Sequence, residues 1–112
     1  MAGKFHLKVA KDGQFYFNLI AGNGEIILSS EMYKAKASAT NGIESVRKNA
    51  VREGAFEIKT STNGKPYFVL KATNGQIIGQ SQMYASDTST KGGIESVTKN
   101  APDAKLQDDS AA

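Results

Sequence analysis

Asn23-Gly24-Glu25-Ile26-Ile27, then Ser30, Met32-Tyr33 and Gly42-Ile43-Glu44-Ser45-Val46-Arg47-Lys48-Asn49-Ala50, form a series that the chain contains twice. The second copy reads Asn74-Gly75-Gln76-Ile77-Ile78, Ser81, Met83-Tyr84 and Gly93-Ile94-Glu95-Ser96-Val97-Thr98-Lys99-Asn100-Ala101. The offset stays constant without a gap from Phe5/Phe56 to Ala50/Ala101, and about half of the paired positions are identical. That is a duplication. Each copy is near the lower size limit for burying a core alone. The chain is therefore expected to be a single domain of two repeats, about 4–53 and 55–108, that share one core, with 109–112 as a flexible tail.

Outward from this stretch the hydrophobic period changes twice per copy. Lys4-Phe5-His6-Leu7-Lys8-Val9 alternates polar and apolar, which predicts a half-buried strand with Phe5, Leu7 and Val9 inward. Asp12-Gly13 then signals a hairpin, because Gly takes a positive φ without a Cβ clash. Phe15–Ala21 makes a second strand, Asn23-Gly24 a second turn, and Glu25–Ser30 a third strand. From Ala35 the period lengthens: Ala35, Ala39, Gly42/Ile43, Val46 and Ala50 mark a helix with one apolar stripe. A glycine recurring inside that helix, Gly42 and Gly93, predicts a close approach between helix and sheet. Asn49 and Asn100 are expected to end the helices in the left-handed conformation, and Ser86 to cap the second helix better than Ala35 caps the first. Ala55–Thr60, Pro66–Ala72, Gln76–Ser81 and the helix after Ser86 repeat the series, and Ala104–Gln107 adds a short last strand.

Composition narrows the chemistry. The chain has no cysteine, which excludes thiolate catalysis, disulfides and cysteine-ligated metal sites. It contains no secretory h-region and no run long enough for a membrane helix, so a cytoplasmic location is expected. The net charge of +3 lies in the first half: residues 1–53 hold eight Lys/Arg against five acids, and residues 54–112 hold six against six. His6 is the only histidine, and its repeat counterpart is Glu57. Glu44 and Glu95 precede Lys48 and Lys99 by four residues, the spacing of a helix-surface ion pair. Gly22-Asn23-Gly24 lies between strands and Lys91-Gly92-Gly93 lies within a helix pattern, so neither has the strand–loop–helix setting of a phosphate loop. No nucleophile–base set, metal-ligand spacing or cofactor motif assembles from these residues, and the chain is expected not to be an enzyme.

The paired Asn-Gly-x-Ile-Ile, Ser-x-Met-Tyr and Gly-Ile-Glu-Ser-Val-x-Lys-Asn-Ala segments resemble the YegP-like family in its tandem form, over nearly the whole chain. The resemblance implies an α+β fold: tandem β-β-β-α(-β) units in a single antiparallel sheet, two helices on one face, pseudo-two-fold symmetric. It also implies that the last strand of each unit crosses to the other unit, with Phe56–Thr60 ending the first and beginning the second. A tandem chain of this kind replaces a dimer and is expected to be a monomer. The family is one of uncharacterised function, and the resemblance implies no activity, cofactor or catalytic residue.

Three readings of function stay open. With helices on one sheet face, Phe15, Phe17, Leu19, Phe68 and Leu70 supply the core. The other face then shows Tyr16, Ile20, Ile27, Tyr67, Val69 and Ile78, a candidate contact surface for a protein partner, unless sheet curvature buries it. The same strand-borne tyrosines and the basic first half suggest single-stranded nucleic acid as an alternative. A pocket between the repeats lined by Ser30, Tyr33, Ser81 and Tyr84 is the third, as a small-ligand site. A non-catalytic protein-interaction module is preferred.

Overall fold

The computed structural model describes residues 3–110. Its elements are β1 (Lys4–Val9), β2 (Phe15–Ile20), β3 (Ile26–Ser29), α1 (Lys36–Asn49), β4 (Phe56–Thr60), β5 (Pro66–Lys71), β6 (Ile77–Gln80), α2 (Asp87–Asn100) and β7 (Lys105–Asp108). The seven strands form one sheet in the order β4-β5-β6-β3-β2-β1-β7. The two repeats meet at β3 and β6, so the pseudo-two-fold axis passes through that seam, where Ser29 pairs with Gln80. Every pairing is antiparallel except the last, in which β7 runs parallel to β1. The sheet is thus mixed: β1 already fills the place beside β2, so the strand that returns from α2 adds outside it.

The four hairpin loops share one chemistry. Ala10/Gln14, Ala21/Glu25, Ser61/Lys65 and Ala72/Gln76 close them by backbone hydrogen bonds, leaving three-residue loops that end on a glycine of positive φ. In each, the residue before the glycine turns its side-chain oxygen to accept the N–H two residues on: Asp12 from Gln14, Asn23 from Glu25, Asn63 from Lys65 and Asn74 from Gln76. The Asp/Asn-Gly signal therefore operates through a three-residue loop with a bulged glycine.

Both helices lie on the Phe17/Phe68 face. Phe5, Leu7, Phe17, Leu19, Leu28, Phe68 and Leu70 are buried against Ile43, Val46 and Val97 in a single core cluster that spans both repeats. Phe17 stacks on Tyr33 and meets Phe5 edge-on, and Phe68 does the same with Tyr84 and Phe56. The repeated helix glycine is explained here. A Cβ on Gly42 would sit 2.6 Å from Tyr33 Oη and 3.1 Å from the Phe17 ring, and one on Gly93 would meet Tyr84 and Phe68 in the same way. At the axis the symmetry breaks. Leu28 has Gly79 as its counterpart, and a Cβ on Gly79 would lie 2.7 Å from the Leu28 side chain. One leucine fills the space that two would contest.

Two expectations are corrected. Asn49 and Asn100 do not turn left-handed: no non-glycine residue has positive φ among the described residues. Their side-chain amides instead donate to the carbonyls of Ser45 and Ser96 at 2.8 Å, which ties them into the preceding turn. The tail is also more engaged than expected. The Asp109 N–H donates to the Leu7 carbonyl at 2.8 Å, and Ser110 is buried with its hydroxyl on Asp108; Ala111 and Ala112 lie outside the described residues. Ser86 caps α2 by accepting the Ser89 N–H, whereas Ala35 leaves α1 without a side-chain cap.

Candidate functional site

The sheet has one face under the helices and one that no element of the described residues covers. Cross-strand pairing orders the open face. Lys8 lies opposite Tyr16, His6 opposite Asn18 and Lys4 opposite Ile20 in the first repeat. Lys59 lies opposite Tyr67 and Glu57 opposite Val69 in the second. The centre is polar, with Ser29 and Gln80 on the axis. Only the Lys–Tyr pair is the same in both halves.

Of the proposed contact residues, Tyr16, Ile20 and Tyr67 are half-buried on this face. Ile27 and Ile78 are not part of an exposed surface: each is the extra residue of a β-bulge, because Leu19 and Ile20 pair with Leu28 and Ile26, and Leu70 and Lys71 with Gly79 and Ile77. The bulge breaks strict alternation, and both isoleucines are buried in the shared core at 7% and 8% exposure. Val69 is on the open face yet only 1% exposed. It is flanked by Gln80 and Glu57 across the strands, and Glu57 is ion-paired with Lys71 two residues along. The bulge instead aligns Ile26 with Ile20, and Ile26 is exposed. Simple alternation hides this residue; only the pairing shift reveals it.

The four residues suggested for an inter-repeat pocket divide into two settings. Ser30 and Ser81 border an open hollow of about 520 Å³ over the seam, with Ser29, Leu28, Gln80 and Gln82. Their hydroxyls are already committed. Ser30 Oγ accepts the Phe17 N–H at 2.9 Å and donates to the Glu31 carbonyl, and Ser81 does the same with Phe68 and Gln82. Tyr33 and Tyr84 do not line that hollow; they stack on Phe17 and Phe68 against the helix glycines. Burial pushes both phenols above the ordinary tyrosine range, and Glu31 beside Tyr33 and Glu25 beside Tyr84 add to the shift. A phenol that is harder to ionise suits a packing role rather than a base. Met32 and Met83, next to these tyrosines in the chain, are exposed.

The titratable groups are dispersed. His6 Nε2 lies 2.6 Å from Asp109 Oδ2 on the first-repeat edge. Lys36 holds Asp108 at 2.6 Å. Glu44 pairs with Arg47, three residues on, rather than with Lys48. Arg47 in turn lies over the Phe5 ring, 5.0 Å from its centre. Among the described residues no group of three His, Cys, Asp or Glu could hold a metal ion, and no helix is long and apolar enough to cross a membrane.

This architecture, a doubled unit welded into one sheet with an uncovered face, defines the class. Two segments, residues 10–57 and 61–108, match the family described as a domain of unknown function, DUF1508, and the chain belongs to that family. The segments begin just before β2 and β5 and end in β4 and β7; β4, which closes the first segment, pairs with β5 of the second. Among its relatives are a UPF0339 protein of Pseudomonas aeruginosa, 66% identical over 98% of this chain and 100% of that one, and the UPF0339 protein YegP of Escherichia coli O157:H7, 55% identical over 96% and 98%. The solution structure of YegP from E. coli, a protein of unknown function, superimposes with a TM-score of 0.94 at 52% identity, covering 100% of this chain and 97% of that one. A UPF0339 protein of Shewanella oneidensis gives 0.90 at 47% identity, over 96% and 92%. The family is uncharacterised, and the names of these relatives state no activity.

Proposed function

We propose that this chain is a small, non-catalytic binding module that works as a cytoplasmic monomer and receives a protein partner on the open sheet face. The observation that carries the reading is the uncovered face itself. Both helices are spent on the opposite side, which leaves Tyr16, Ile20, Ile26 and Tyr67 between lysines on a rigid platform. Aromatic and aliphatic groups ringed by polar ones are the usual make-up of a contact surface. Committed serine hydroxyls and dispersed carboxylates supply no assembled catalytic set.

A photo-crosslinking side chain in place of Tyr67 tests this in cells. Discrete protein adducts at position 67, reduced by Tyr16→Glu, are expected. Adducts to nucleic acid alone, or none, contradict the reading. One specific observation favours nucleic acid as the alternative partner: Lys8–Tyr16 and Lys59–Tyr67 repeat a cation beside an aromatic ring, the elements of a single-strand platform. Titration with single-stranded RNA at low salt, where the phosphate contribution is greatest, separates the two readings.

A further inference from the structure

The two outer edges of the pseudo-symmetric sheet are unequal. β1 and β4 are counterparts, but β7 lies along β1 while, among the described residues, no strand lies along β4. The consequence is visible in paired residues: Leu7 is 0% exposed and its counterpart Ile58 is 40% exposed; Phe5 is fully buried and Phe56 only partly. The hydrogen-bonding groups follow the same pattern. Gly3 and Leu7 turn their carbonyls outward to accept the N–H groups of Lys105 and Asp109. In β4, Ala55 accepts from Lys71 and so faces inward; strand alternation then turns Phe56, Ile58 and Thr60 outward, where none of the described strands meets them. Beside this edge is an open hollow of about 390 Å³ lined by Val51, Phe56, Ile94 and Thr98. In the first repeat, the place of Thr98 is held by Arg47, which covers Phe5.

We infer that the β4 edge is a second binding site, separate from the open sheet face, which takes an extended polypeptide segment as a parallel eighth strand. Its own β7 shows the geometry, because the chain already seats such a strand on the equivalent edge. The charges say which strand fits. β7 is held by Lys36 on Asp108 and His6 on Asp109. The counterparts of Lys36 and His6 are Asp87 and Glu57, so an acid stands in the place of each anchor. Glu57 has Lys71 as its partner and Lys59 nearby; no ion pair engages Asp87 among the described residues. A second copy of β7 would bring acid to acid. The fitting segment keeps an apolar residue where β7 has Leu106, beside Phe56 and the hollow, and carries Lys or Arg where β7 has Asp108 and Asp109.

The test is a nuclear magnetic resonance titration of the full chain with two hexapeptides. One copies residues 104–109, Ala-Lys-Leu-Gln-Asp-Asp; the other ends in Lys-Lys. The lysine peptide is expected to shift the amides of Phe56, Ile58 and Thr60 and slow their exchange, with roughly tenfold higher affinity than the aspartate peptide, the size expected from two surface charge pairs. Asp87→Lys with Glu57→Lys, checked for an unchanged fold by its spectrum, is expected to reverse that order. A lysine peptide N-methylated on alternate residues, so that it cannot donate to β4, is expected to lose binding. Shifts absent from β4 at millimolar peptide, equal affinities for the two peptides, or full binding by the N-methylated form would each overturn the proposal. None of these outcomes depends on Tyr16 or Tyr67, so its failure is distinct from failure of the sheet-face reading.

Discussion

At the scale of single residues, the decisive positions are those where the repeats bring two atoms close together. Gly93 lies under Tyr84 Oη and the Phe68 ring. Alanine would gain up to about 1 kcal/mol in helix propensity, but forcing a methyl into this contact costs about 1–3 kcal/mol. Gly93→Ala is therefore expected to lower the thermal midpoint, and Tyr84→Phe, which removes the nearest atom, to restore part of the loss in the same background. At the axis, Leu28→Ala should cost about 2–5 kcal/mol as a core truncation. Leu28→Gly combined with Gly79→Leu moves the side chain to the other side of the same space. Denaturant titration should find this double variant more stable than the sum of its single substitutions implies. The glycine contact was foreseeable from the repeated helix glycine, whereas the Leu28/Gly79 exchange was not, because nothing in the sequence says which paired positions face each other across the axis.

At the scale of elements, caps and edges set the differences between the halves. Ala35 sits in an extended conformation fit for a capping side chain but has none to offer. Ser86→Ala should cost about 1 kcal/mol and Ala35→Ser should add a comparable amount, both measurable by thermal melts. β7 is held by carboxylates. Lys36 and the Ser110 hydroxyl and N–H hold the Asp108 carboxyl at about 2, and His6 and Gln107 hold Asp109 below the ordinary range. With folded values below the unfolded ones, this contribution is complete above the unfolded carboxylate range and disappears as pH falls through the folded value. Resonances of Leu106–Ser110 should therefore move toward unpaired positions between about pH 4 and pH 2, and in Asp108→Asn that transition should shrink. Strands and helices were readable because alternation, Asp/Asn-Gly turns and the longer period state them locally. The bulges at Ile27 and Ile78 were not, because a one-residue slip in pairing is a property of two strands together. Neither was the parallel seat of β7, which follows from β1 already occupying the place beside β2.

At the scale of the whole molecule, the halves are joined across β3 and β6 and by helices that reach beyond their own repeat: α1 touches β5 and β6, and α2 touches β3. Sheet and helices together enclose one core drawn from both copies. That is the physical return on the duplication: a repeat too small to shelter its apolar residues finds the remainder of its cover in its twin. Among the described residues the same arrangement leaves one sheet face and one strand edge uncovered, and those two surfaces carry the functional reading. The open face was legible only in part. Tyr16, Ile20 and Tyr67 lie where alternation puts them, while two of the apolar residues assigned beside them belong to the core. The central claim is the shared core, and residue-resolved urea unfolding tests it directly, with Phe17 and Leu19 reporting on the first repeat and Phe68 and Leu70 on the second. A single coincident transition at all four residues is the expected result; separate midpoints for the two pairs would contradict it.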